Sequence, residues 1–100
     1  MRWRRVAVRG PSMSPTLTDG DVLLVRFGAA ARPGDVVLAR WPRRPGQLSV
    51  KRAVRRDGDG WWVLGDNPFG STDSRVLGPA HVVAVAVARL YPRPRRLRRL

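Results

Sequence analysis

Leu48-Ser49-Val50-Lys51-Arg52-Ala53-Val54-Arg55, Arg56-Asp57-Gly58-Asp59-Gly60 and Trp61-Trp62-Val63-Leu64-Gly65 follow one another and read as strand, turn and strand. β-branched and aromatic residues stand on the flanks, and the centre holds the glycines and aspartates that accept the positive φ of a hairpin turn. Alternation across the first strand puts Lys51 on the face of Ser49, opposite Val50, and divides Trp61 and Trp62 between core and surface. Working outward, similar short runs recur at Arg5 to Val8, Val22 to Phe27, Asp35 to Trp41 and His81 to Leu90, each bounded by Gly, Pro or Asp. No stretch of a dozen residues keeps a helical apolar stripe free of breakers, although Ala29 to Arg32 has room for one helical turn. The pattern predicts an all-β domain of short strands. Gly10 to Gly20, holding Pro11 and Pro15, is expected as a rigid loop rather than a central strand. Residues 1–92 are expected to form the domain, and 93–100 a basic, disordered tail.

With 100 residues the chain has enough surface to bury for one core. The lack of cysteine excludes a disulfide framework, a thiolate nucleophile and any Cys-based metal site, and a single histidine, His81, excludes a multi-His cluster. No metal or cofactor is called for. The longest apolar run, Val82 to Ala88, is far short of the ~20 residues of a membrane span, and the opening MRWRRVAVRG lacks the apolar stretch of a signal peptide. A soluble, cytoplasmic protein is therefore expected.

Twenty Lys+Arg stand against seven Asp+Glu, a net charge of +13, and the two signs are used differently. Every acid is aspartate, nearly all beside glycine or in evident turns. Nineteen of the twenty bases are arginine, and Lys51 is the only lysine. Arginine keeps its proton in proteins, whereas a buried lysine can lose its own and act as a base.

Gly10-Pro11-Ser12-Met13-Ser14-Pro15-Thr16-Leu17 sets a hydroxyl between two φ-restricting prolines, a stiffness that suits a nucleophile. Serine alone is a weak nucleophile and needs a base, for which the chain offers Lys51, His81 or an aspartate. A third segment, Gly65-Asp66-Asn67-Pro68-Phe69-Gly70-Ser71-Thr72-Asp73-Ser74-Arg75, is dense in turn formers and hydroxyls.

Together these three segments resemble the type I signal peptidase family of Ser/Lys-dyad serine proteases. The family's nucleophile box, SMxPTL, stands here as Ser12 to Leu17, followed by Gly20-Asp21 and the strand Val22 to Val25; then come Gly34-Asp35-Val36-Val37, Val50-Lys51-Arg52, and Gly65-Asp66-Asn67 with Ser71 and Asp73-Ser74-Arg75. The resemblance implies Ser12 as nucleophile and Lys51 as general base. Ser71 would hold the amine, and Asp73 with Arg75 would brace their loop. Val8, Met13, Leu17 and Val50 would line a shallow apolar pocket for small residues such as alanine, and an extended substrate would pair with Val6 to Val8 and Leu48 to Val50. The implied partner is a protein precursor with a cleavable N-terminal segment. No metal is needed by this chemistry. Lys51 leaves His81 without a role.

The sequence departs from the family at several places. Gly10 stands where some members carry a serine whose hydroxyl helps the oxyanion hole, a donor of a kind worth ~3 kcal/mol, so backbone N–H groups, chiefly that of Ser12, would have to serve. Pro68-Phe69 replaces charged residues, and the membrane anchor and the large second β domain are absent. This minimal form is similar to the maturation peptidases of nickel-type superoxide dismutase, which suggests that precursor as substrate; general signal peptide processing at the membrane is the alternative. Self-cleaving repressors share the dyad but need a scissile bond upstream of the serine, and with eleven residues before Ser12 that relative is set aside. The rival class is a non-catalytic basic β module. Arg2, Arg4, Arg5, Arg9 and the arginines of 93–99 would attract nucleic acid or anionic lipid, with Trp3, Leu97 and Leu100 as interfacial contacts. Nucleic acid is the less expected partner, because it would need neither Ser12 nor Lys51.

Overall fold

The computed structural model describes residues 2–99. Its strands are β1 (Arg2–Ala7), β2 (Val22–Phe27), β3 (Val36–Arg40), β4 (Ser49–Asp57), β5 (Gly60–Leu64), β6 (His81–Tyr91) and β7 (Arg95–Arg96), with one short helix, α1 (Ser74–Leu77), between β5 and β6. They make one antiparallel sheet in the order β1-β2-β6-β3-β4-β5, with β7 also on β6. The expected all-β class and all six expected strands are present. The β4–β5 hairpin turns through Gly58 at φ 60, as its Asp-Gly pairs require.

Strand β3 shows how one sheet makes two cores. Val36 and Leu38 enter a cluster with Val8, Met13, Leu17, Leu23, Val25, Ala84 and Ala86, while Val37 and Ala39 enter a second with Trp41, Ala53, Trp61, Val63, Ala80 and Val85. Both faces of the strand are covered, so its sequence is continuously apolar rather than alternating. Trp61 is buried and Trp62 half-buried, as alternation required.

Three local readings are corrected. Ala29 to Arg32 is irregular, and the helical turn lies at α1 instead. There the Asp73 side chain caps the first turn by accepting from the Arg75 N–H, a role for which aspartate is well suited. The segment after Pro92, expected to be disordered, is placed to residue 99. β7 pairs Ala88 with Arg96 and Arg89 with Arg95, on the β6 edge that β3 leaves after Val85. Leu97 packs on the first core, and Arg99 Nε donates to buried Asp35 at 2.6 Å. Counting charge missed these partners. Of the proposed interfacial residues, Leu97 is therefore spent on the core, and Leu100 lies outside the described residues.

Candidate active site

The loop between β1 and β2 is folded as a knot of turns. Ser14 N–H donates to Pro11 O and Leu17 N–H to Met13 O, at 3.0 and 2.9 Å. This helical spacing carries Met13 and Leu17 to one side, and both are fully buried in the first core. They were expected to line the substrate pocket; they anchor the loop instead. Burial of two such side chains is worth roughly 1.5–3 kcal/mol each, enough to fix the loop on the sheet. Ser12, their neighbour, is half-buried and opens onto a cleft.

The cleft has a volume of about 650 Å³ and holds Ser12, Lys51, Val8 and Val50 on its wall, with Val6 and Leu48 beside them. Thus the sequence-predicted nucleophile and base, and two of the four predicted pocket residues, share one concavity. β1 lies at an edge of the sheet. Ser49, Val50 and Lys51 pair with β3 on one side, whereas β5 joins the other side of β4 only from Arg52 onward. Two unpaired strand edges therefore border the cleft, as a peptide bound in extended form requires.

Lys51 is only 5% exposed and, among the described residues, forms no ion pair. Desolvation pushes its pKa below the usual 10.5, and the nearby Asp73 carboxylate offsets part of that shift. Neither its Nζ nor Ser12 Oγ makes a side-chain hydrogen bond among the described residues. Contacts of this kind are often long before substrate binds. Ser12 N–H is likewise unpaired among the described residues, and so is free to donate to an oxyanion. The N–H of Gly10 is occupied by Asp19 Oδ1 at 2.8 Å.

Residues 65–75 clamp the serine loop. Asn67 N–H donates to Ser12 O at 2.9 Å, and Asn67 Nδ2 donates to Pro11 O at 3.1 Å. Asp73 is buried and accepts from Ser71 Oγ and Gly65 N–H at 2.9 Å each, and from Arg75 Nε and Nη2 at 3.0 and 2.9 Å. Burial alone would raise its pKa, yet these donors hold it at about 2. Asp73 and Arg75 thus pair within their loop, and Ser71 is hydrogen-bonded to the same carboxylate. Because Ser71 spends its proton on Asp73, its oxygen presents lone pairs to the surroundings.

Sequence reading missed the network that joins the three segments. Arg52 Nε and Nη2 donate to Asp66 Oδ1 and Oδ2 at 3.2 and 2.6 Å, and Thr16 Oγ1 donates to Asp66 Oδ2 at 2.6 Å. Arg52 and Asp66 are nearly buried, at 7% and 13% side-chain exposure. Asp66 therefore ties the serine loop to the strand residue after Lys51. Desolvation would raise the Asp66 pKa, but hydrogen bonds from Arg52 and Thr16 bring it below the usual value. Asp66→Asn should leave part of the Arg52 fork unpaired and cost about 1–3 kcal/mol, read as a lower urea midpoint at neutral pH. The difference should be complete above 3.8 and shrink as pH falls below it toward the lower folded-state value, because the unfolded carboxylate takes up its proton first and the native one follows.

A family model described as Peptidase S24-like matches residues 5–87. The chain is 36% identical over 116 residues to the mitochondrial ATP-independent inner membrane protease subunit 1a of Arabidopsis thaliana, covering 85% of this chain and 68% of that one. It is 32% identical over 98 residues to human mitochondrial inner membrane protease subunit 1, covering 74% of this chain and 59% of the relative. A LexA repressor of Pseudomonas aeruginosa is 42% identical over 62 residues, 61% of this chain and 28% of the repressor. The repressors set aside on chain length are thus similar in sequence to this chain. No helix among the described residues is long and apolar enough to cross a membrane.

Proposed function

The chain belongs to the Peptidase S24-like family, and from that premise we propose that it is a serine endopeptidase in which neutral Lys51 activates Ser12 to remove a short N-terminal segment from a protein precursor. The observation that carries this reading is the buried side chain of the chain's sole lysine, without an ion pair among the described residues, on the same cleft wall as Ser12. An extended substrate lies between the free edges of β1 and of Ser49–Lys51, with a small side chain over Val8 and Val50. Ser71 Oγ accepts an N–H from the amine, which turns the nitrogen lone pair toward Ser12. Lys51 Nζ takes the hydroxyl proton as Ser12 Oγ bonds to the scissile carbonyl carbon, and Ser12 N–H holds the developing oxyanion. The ammonium then protonates the leaving amine, the C–N bond breaks and an ester to Ser12 remains. Water gives a proton to the same nitrogen and attacks the ester; the bond to Ser12 Oγ then breaks, the ammonium returns that proton to Oγ, and the acid leaves. The resemblance to the maturation peptidases names the nickel superoxide dismutase precursor as one substrate to try.

The pH dependence tests the base. With an internally quenched precursor peptide, kcat/KM should rise with pH to a plateau, its midpoint below the usual lysine value of 10.5; a profile flat from acid to alkali removes Lys51 from the role. Intact mass should show an acyl adduct on Ser12.

A second reading, processing at a membrane surface, draws on Phe69 and Val76, 97% and 67% exposed, and on the exposed arginines of β1. Loss of vesicle binding in Phe69→Ser would support it.

A further inference from the structure

The cleft is cationic well beyond what the proposed chemistry needs. Besides Lys51 its wall includes Arg2, Arg4, Arg5, Arg9 and Arg44, and no carboxylate. These five arginines are exposed and, among the described residues, none has an acid within ion-pair distance. The chain's aspartates are committed elsewhere. Asp21, Asp35, Asp66 and Asp73 pair with Arg89, Arg99, Arg52 and Arg75, Asp19 accepts from Gly10, and Asp57 and Asp59 sit at the β4–β5 hairpin. A groove lined by one sign of charge concentrates the field and draws in the opposite charge.

We infer that the cleft selects an acidic peptide: a substrate whose extended segment carries Asp or Glu where it runs along β1, away from the cleaved bond. This rests on the proposed peptidase reading and adds the substrate's chemical class. A strand advances about 3.3 Å per residue, so Arg4 and Arg2 lie roughly 13–20 Å along β1 from Val8, which shares the wall with Ser12. The acidic positions therefore fall about four to six residues from the scissile bond. Three features favour a peptide over other anions. The arginines line a concavity, which a flat bilayer cannot enter. Its volume of about 650 Å³ is too small for a nucleic acid duplex. Both bordering strand edges offer unpaired backbone groups, which a peptide can satisfy and a lipid headgroup cannot.

The test uses internally quenched peptides of one length, with alanine at the cleaved bond and a pair of Glu, Gln or Lys residues four to six positions to either side. On one side kcat/KM should follow Glu over Gln over Lys, with Glu about tenfold above Gln in dilute buffer and near parity at about 0.5 M salt. Arg4→Gln with Arg5→Gln should remove most of the preference, and Arg4→Lys with Arg5→Lys should retain it. Cleavage at equal rates whatever the charge overturns the inference and leaves the peptidase reading standing. If no peptide is cut, the peptidase reading fails, and fluorescence anisotropy with the Ser12→Ala protein still decides the inference, because tighter binding of Glu than Gln peptides supports it and equal binding overturns it. If the paired Gln variant instead loses binding to phosphatidylglycerol-containing vesicles or to a single-stranded oligonucleotide while keeping its peptide preference, the arginines serve that surface and the inference falls.

Discussion

Lys51→Met should lower kcat/KM by about 10⁴-fold or more and leave the protein as stable as wild type or more so. The two halves of this result come from one physical fact. Lys51 is 5% exposed and, among the described residues, has no ion-pair partner, so its ammonium form is disfavoured where it stands. Methionine keeps the aliphatic stem and deletes the amine, removing the proposed base without removing the packing. A lysine kept for structure would give the opposite signs, a stability loss with activity retained. Ser12→Ala should be equally inactive, and combining the two should cost little more than either, since the pair acts as a unit. Lys51→Arg should also be inactive because a guanidinium does not release its proton, but it places a permanent charge in the buried position and so should unfold at lower denaturant than the Met variant.

Linkage gives the same residue a second signature. The folded-state pKa of Lys51 lies below the usual 10.5, so between the two values the unfolded chain binds more protons than the folded one, and stability rises as pH climbs through that window. Lys51→Met should abolish this alkaline gain. Asp73 behaves oppositely. Its pKa is held at about 2 against the usual 3.8, so the stability that it supplies is complete above 3.8 and is lost as pH falls toward 2. A urea midpoint measured from acid to alkaline pH separates the two contributions.

Much of the fold was legible because strand periodicity and turn chemistry agreed. Val22–Phe27 alternates half-buried and buried residues, and Asp57-Gly58-Asp59-Gly60 turns the hairpin that its glycines announce. Less legible were features set by tertiary partners. Met13 and Leu17 are apolar residues beside the candidate nucleophile, and sequence alone does not distinguish a pocket wall from an anchor. The i to i+4 turn decides it. Likewise Arg95 to Arg99 has the composition of a solvated tail, but the vacant edge of β6, the core patch under Leu97 and the buried Asp35 carboxylate each give it somewhere to go. At the site, the resemblance of three segments to the type I signal peptidase family singled out Ser12, Lys51 and the Asp73–Arg75 pair, and the structure brings Ser12 and Lys51 to one cleft and pairs Asp73 with Arg75. The Thr16–Asp66–Arg52 link was not legible, since three residues drawn from three segments meet only in the folded chain.

Gly65→Ala should lower stability by roughly 3 kcal/mol and, in the molecules that remain folded, cut kcat/KM by about 10²-fold. Glycine is needed here for space, not for an unusual φ. A methyl group at this position would stand 2.5 Å from the carbonyl oxygen of Ser12 and 2.6 Å from Cβ of Ser71, both well inside contact distance. Neither neighbour can swing away. Ser12 O is held by the Asn67 N–H, and Ser71 Oγ donates to buried Asp73. Relief must come from moving the backbone that carries the nucleophile, or from pulling Ser71 out of the Asp73 network that also receives the Gly65 N–H. Both displacements act on the candidate dyad from one side, so the kinetic loss should fall mainly on kcat, with KM for a short peptide little changed because the β1 and β4 edges remain. Ser71→Gly in the Gly65→Ala background should recover part of the stability by vacating the Ser71 side of the clash, the contact with Ser12 O remaining, but should not recover activity, since the hydroxyl proposed to orient Lys51 is then gone; recovery of activity would show that Ser71 has no part in holding the amine.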